Sequence, residues 1–74
     1  MATEQKIYVA LLEEGTDVWR PVMAKQTSNE SFLILGEVPA EESWQFLPGT
    51  HVRCEEHVFS GGMRGLVAVE AVHA

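Results

Sequence analysis

One cysteine, Cys54, is all that this chain carries. No internal disulfide can form, and no cysteine-based metal cluster is possible. A lone thiol fits a reducing compartment, so the expected location is the cytoplasm. The opening Met-Ala-Thr-Glu-Gln-Lys lacks the basic-then-apolar pattern of a secretory segment. Positive charge is scarce too. Five lysines and arginines face eleven acidic residues, a formal net charge of −6. Nucleic-acid affinity rests largely on Lys and Arg neutralising phosphates, so nucleic acid is not an expected partner. An acidic surface favours solubility or a basic partner. The apolar runs are short, far below the roughly 20 residues that span a bilayer, so no membrane association is expected.

The usual signatures of catalysis are missing. There is no serine–histidine–aspartate order and no HExxH. Gly61-Gly62-Met63-Arg64-Gly65 is glycine-rich but lacks the Lys-Ser/Thr of a phosphate loop, and it reads as a hairpin. His51-x-x-Cys54-x-x-His57 contains good soft-metal ligands. On a strand, however, period-two geometry puts Cys54 on the face opposite the two histidines. The histidines themselves would lie about 20 Å apart, too far to share an ion. Cys54 as a nucleophile would need a base and a lowered pKa. Glu55 and Glu56 are expected to raise its pKa instead, and Val52 suggests that its face is the core. The expectation is therefore no catalytic, cofactor or metal residue, and no enzyme.

What the chain does have is alternating apolar segments punctuated by turns. Residues 17–35 are central. Two β-prone segments, 18–25 and 32–35, flank the polar Thr-Ser-Asn-Glu-Ser turn, a hairpin signal. Pro21 interrupts the first of them. It has no N–H to give to a ladder, so it predicts an edge or a bend. A bulge there would turn Trp19 and Val22 to the same side, making Trp19 a core residue whose loss unfolds the protein; the other reading makes Trp19 a surface anchor. Residues 6–12 (Lys-Ile-Tyr-Val-Ala-Leu-Leu) form a first strand that is apolar on both faces: Ile7, Val9 and Leu11 on one, Tyr8, Ala10 and Leu12 on the other. Glu13-Glu14-Gly15-Thr16-Asp17 is an acidic turn.

Further along, residues 37–43 read as a loop or a single helical turn, too short for a stable helix. Trp44-Gln45-Phe46 alternates, putting both rings on one face and into the core. Leu47-Pro48-Gly49-Thr50 is a turn in which Pro presets φ and Gly accepts a reversed backbone. Residues 51–59 and 64–72 are the fourth and fifth strands, joined by Ser60-Gly61-Gly62. Gly65, inside the last strand, suggests a bulge or a barrel corner.

Five short strands in a chain of this length predict one all-β domain over residues 1–74, with an ordered core of about 6–72: a small closed barrel. The element order resembles the SH3-like small barrel, with a long acidic first loop, a bent second strand, a hairpin, a short loop or single helical turn between strands 3 and 4, and a closing hairpin. Pro48-Gly49, Val52-Arg53, Gly61-Gly62 and Gly65-Leu66-Val67 are similar to the KOW-type hairpin of ribosome- and transcription-associated proteins. Ala10-Leu11 followed by Glu13, Glu14 and Asp17 resembles the opening of signalling SH3 domains. Glu55 and Glu56 stand where RNA-touching KOW segments carry basic residues. The adjacent tryptophans and Pro-x-x-Tyr of peptide-binding SH3 domains are absent. Neither RNA nor PxxP-peptide binding is therefore implied.

The aromatics are Tyr8, Trp19, Phe32, Trp44, Phe46 and Phe59. Most are expected in the core, because a small barrel needs large side chains to fill it. Tyr8 and Trp19 are the expected surface exceptions. With Glu13, Glu14 and Asp17 they make the candidate partner-binding set. The functional expectation is a cytoplasmic protein–protein interaction module, binding another protein or itself through an apolar strand face and an acidic rim. The alternative is an aromatic cage beside a carboxylate, recognising a cationic or methylated side chain as in Tudor-type barrels.

Overall fold

The computed structural model describes residues 4–12 and 18–72. Among them are five strands and no helix: β1 (Glu4–Ala10), β2 (Trp19–Gln26), β3 (Ser31–Ile34), β4 (His51–Val58) and β5 (Arg64–Ala71). They close into a barrel in the order β1-β2-β3-β4-β5. Every sequential pair is antiparallel. An odd number of alternating strands must close with first and last parallel, and Tyr8 of β1 duly pairs with Val67 of β5 in parallel. The result is all-β and consistent with an SH3-like small barrel.

Period-two patterning builds the interior. Ile7 and Val9 of β1 are fully buried, and the β1–β2 register sets Ile7 against Val22. Val22, Ala24, Phe32, Ile34, Val52 and Ala68 complete the strand contributions. Trp44 closes the core from outside the regular strands. It forms an isolated bridge to Leu11 and is 6% exposed. Backbone bonds from Leu12 N–H to the Ser43 carbonyl (2.7 Å) and from Gln45 N–H to the Ala10 carbonyl (2.9 Å) hold it there. Phe46 packs against the same cluster, as its spacing from Trp44 implies. The segment before it makes a single turn, Glu42 N–H to the Pro39 carbonyl (3.0 Å), and no helix. At Leu47-Pro48-Gly49-Thr50 the expected turn is present: Thr50 N–H donates to the Leu47 carbonyl (3.1 Å) and Gly49 has φ 89°.

Three expectations need correction. The first concerns Pro21. The β1–β2 register runs unbroken through Ile7–Val22, Tyr8–Pro21, Val9–Arg20 and Ala10–Trp19, so there is no bulge there. Trp19 and Val22 face opposite ways, and Trp19 is not a core residue. Pro21 instead marks an edge. Met23 accepts from Leu35 N–H (3.0 Å), so odd-numbered residues of β2 aim their backbone groups toward β3. Pairing with β3 begins only at Ala24–Ile34, so the missing donor of Pro21 falls where no β3 residue pairs with it.

The second correction concerns the bulge in β5. Arg53 pairs with Glu70 and Cys54 with Ala68, so the extra residue is Val69, not Gly65. Gly65 has another role: a Cβ there would lie 2.6 Å from Tyr8 Cε1 and 3.1 Å from Phe59 Cε2. Its missing side chain makes room for two rings. The third correction concerns Cys54. Its thiol is pushed up to about 11 by burial, with the Arg53 charge opposing, and not by the neighbouring glutamates.

Candidate interaction surfaces

The register puts Tyr8, Pro21, Trp19, His57, Gly65 and Val67 on the outside of the barrel. Tyr8 stands opposite Pro21 and beside Val67, and His57 stands opposite Gly65. The rings there pack on one another. Tyr8 and Phe59 lie 4.7 Å apart between centroids, His57 and Phe59 4.8 Å, Trp19 and His57 5.5 Å, and Trp19 and Phe59 5.9 Å. These are tilted and edge-to-face contacts of the favourable kind. Lys6 Nζ sits 5.6 Å from the Tyr8 centroid, within cation–π range. Val67 is only 4% exposed although it faces outward, which requires cover from neighbours on that face. Tyr8, Trp19 and Phe59 are half-buried and His57 is exposed. This is a second, small apolar cluster outside the barrel, with its upper surface open to solvent.

Of the expected binding set, Tyr8 and Trp19 are thus brought together through Phe59. Glu13, Glu14 and Asp17 lie outside the described residues. Sequence reasoning missed Phe59 and His57. The signal that could have found them is the β4–β5 hairpin register: once Ser60-Gly61-Gly62 is a tight turn, His57 pairs with Gly65, the strand's only residue without a side chain. His57 therefore belongs with the rings. His51 pairs with Leu33 at the other end of β4, and no group of three or more potential metal ligands occurs among the described residues. No described helix is long and apolar enough to cross a membrane.

A concave feature lies beside the open edge of β2. A groove of about 450 Å³ runs between Arg20–Met23 and the 35–44 segment, lined by Pro21, Met23, Leu35, Pro39 and Trp44 among others. One charged strap crosses it. Arg20 Nε donates to Glu42 Oε1 (3.0 Å), a second guanidinium nitrogen reaches Glu42 Oε2, and Trp44 Nε1 donates to Glu42 Oε1 (2.9 Å). The hydrogen bonds from Arg20 and then from Trp44 hold the Glu42 carboxyl below its ordinary range. The same Glu42 contacts raise Arg20. Glu37 and Glu41 stand at the groove and make no ion pair among the described residues.

On β4 and β5, Arg53 bridges Glu70 and Glu55, each at 2.5 Å, and Arg64 reaches Glu56 at 3.6 Å. The arginines are thus engaged with carboxylates while Glu4, Glu30, Glu37 and Glu41 have no cationic partner among the described residues. Comparison with protein-family models, with curated proteins and with solved structures finds no match.

Proposed function

We propose that this chain is a non-enzymatic protein–protein interaction module of the cytoplasm, an SH3-like barrel of the KOW and Tudor kind, that binds its partner through the outer face of Tyr8, Trp19, His57 and Phe59. One observation carries the reading. A chain with three Phe, two Trp and one Tyr spends three of those residues on the outside of the barrel, gathered into one patch. Aromatic side chains are enriched at protein interfaces and dominate their energetics. The excess of carboxylates around the barrel favours a partner with a basic rim, and it disfavours close self-association at low salt. An aromatic cage would ask for rings standing apart around open space. The centroid distances here are those of rings in direct contact, so nothing in the geometry favours that alternative.

The test is affinity capture with immobilised protein, followed by identification and reconstitution of a purified partner, with light scattering on the isolated chain. We expect one protein, or a second copy of this chain, to bind stoichiometrically and to be released by Trp19→Ala. A strict monomer from which no reconstituted complex depends on Trp19 overturns the proposal.

A further inference from the structure

The groove beside β2 is a second surface, separate from the aromatic face, and it has a chemistry of its own. We infer that it takes an extended, basic peptide segment of a partner protein. Pro21, Val22, Met23, Leu35, Gly36 and Pro39 supply the apolar part of its lining. Met23 is 46% exposed there, a large apolar side chain left in contact with water. The groove is shallow and open along its length, with a volume of about 450 Å³.

Charge selects the occupant. Four charged residues line the groove, Arg20, Glu37, Glu41 and Glu42. Arg20 is neutralised by Glu42, which leaves Glu37 and Glu41, without an ion pair among the described residues, lining the same space. Arginine and lysine carry long apolar stems and a cationic head, and so match a groove lined by both apolar side chains and carboxylates.

The backbone points the same way. Met23 already uses its carbonyl on Leu35, and the next acceptor along the edge, the carbonyl of Pro21, has no partner strand. Pro21 has no N–H, so this stretch of edge accepts hydrogen bonds without donating one at its centre. An acceptor-rich edge beside carboxylates calls for a donor-rich ligand. Extended peptide N–H groups, ammonium and guanidinium supply donors. The same missing donor keeps a second copy of this chain from extending the sheet into a full ladder.

The test uses amide chemical-shift mapping on the whole chain, titrated with the blocked peptide acetyl-Arg-Val-Arg-Val-Arg-Val-amide, with its Glu-Val counterpart as control. Saturable shifts are expected at Met23, Leu35, Gly36, Glu37 and Glu41 with the basic peptide and not with the acidic one. The double variant Glu37→Gln/Glu41→Gln changes two exposed side chains, so its fold should persist, and it should weaken binding roughly fivefold. Trp19→Ala should leave this binding in place, which separates the inference from the role of the aromatic face. Shifts confined to Tyr8, Trp19 and Phe59, equal binding of the acidic peptide, or no loss in the double variant each overturns it.

Discussion

The two tryptophans of this chain have opposite surroundings. Trp44 lies outside the regular strands yet is 6% exposed, its indole N–H bonded to Glu42 and its ring set into the aliphatic core. Trp19 lies within a regular strand yet faces outward, against His57 and Phe59. A strand inside a closed barrel has one face for the core, and in β2 that face belongs to Val22 and Ala24. Side-chain size does not decide position in so small a barrel. Ile7, Val9, Ile34 and Val52 are fully buried with Phe32 and Trp44 beside them, while Tyr8, Trp19 and Phe59 gather outside.

The largest expected effect comes from Trp44→Ala. Removing a buried tryptophan costs about 3–5 kcal/mol, a large share of a small domain's stability. Chemical denaturation should show a protein largely unfolded in buffer. A stable, cooperative variant would mean that the 35–50 segment does not close the core. Next is Gly65→Ala. Its Cβ would strike Tyr8 at 2.6 Å, and the displaced ring should cost about 1–3 kcal/mol. Thermal melting of the single variant, and of the same variant with Tyr8→Leu, checks the cause. Partial recovery in the double variant is expected; none would mean that the strain lies in the backbone and not in the outer cluster.

Smaller again is the effect of Glu42→Gln, which cuts the strap between β2 and the loop that carries Trp44. The folded-state pKa of Glu42 is lowered by its bonds to Arg20 and Trp44. Its stabilisation is therefore present above the ordinary glutamate pKa and is lost as pH falls through the lowered value. Melting temperatures across that acid range should show a gap between native protein and variant that is widest near neutrality and closes on acidification. A pH-independent gap would contradict the ion pair. The mildest test concerns Cys54. With its pKa raised to about 11, alkylation by iodoacetamide at slightly alkaline pH should be slow in the native state and fast in denaturant. The neutral thiol's contribution to stability is present below the ordinary thiol pKa and fades as pH rises through about 11. Equal rates in the two states would show a more open β4 than the barrel allows.

Much of the barrel was legible in the sequence because its signals are local. Short apolar, β-prone segments bounded by turns marked all five strands, and Gly49, Gly61 and Gly62 carry the positive φ that their turns demand. Trp44 and Phe46 were placed inward by spacing alone. The outer patch was half legible. Tyr8 showed through the two-sided apolarity of β1, and Trp19 was caught between two readings because Pro21 fits either a bulge or an edge. The unbroken β1–β2 register decides for the edge. Phe59 and His57 surface only once the Ser60-Gly61-Gly62 turn fixes which residue of β4 meets Gly65; alternation within β4 does not carry it. Nor does any local signal show that Val69, and not the glycine, would supply the bulge. The groove was illegible for the same reason: Arg20 and Glu42 meet across 22 positions of chain.

The ring cluster outside the barrel is a surface and not part of the core. The most direct measurement is the urea unfolding curve of Trp19→Ala beside that of the native chain. We expect a folded, cooperative protein weakened by about 1–2 kcal/mol, the worth of a half-buried ring. That is a shift of very roughly 5–15 °C in melting temperature for a domain of this size. Loss of the folded state, as expected for Trp44→Ala, would contradict it and return Trp19 to the core.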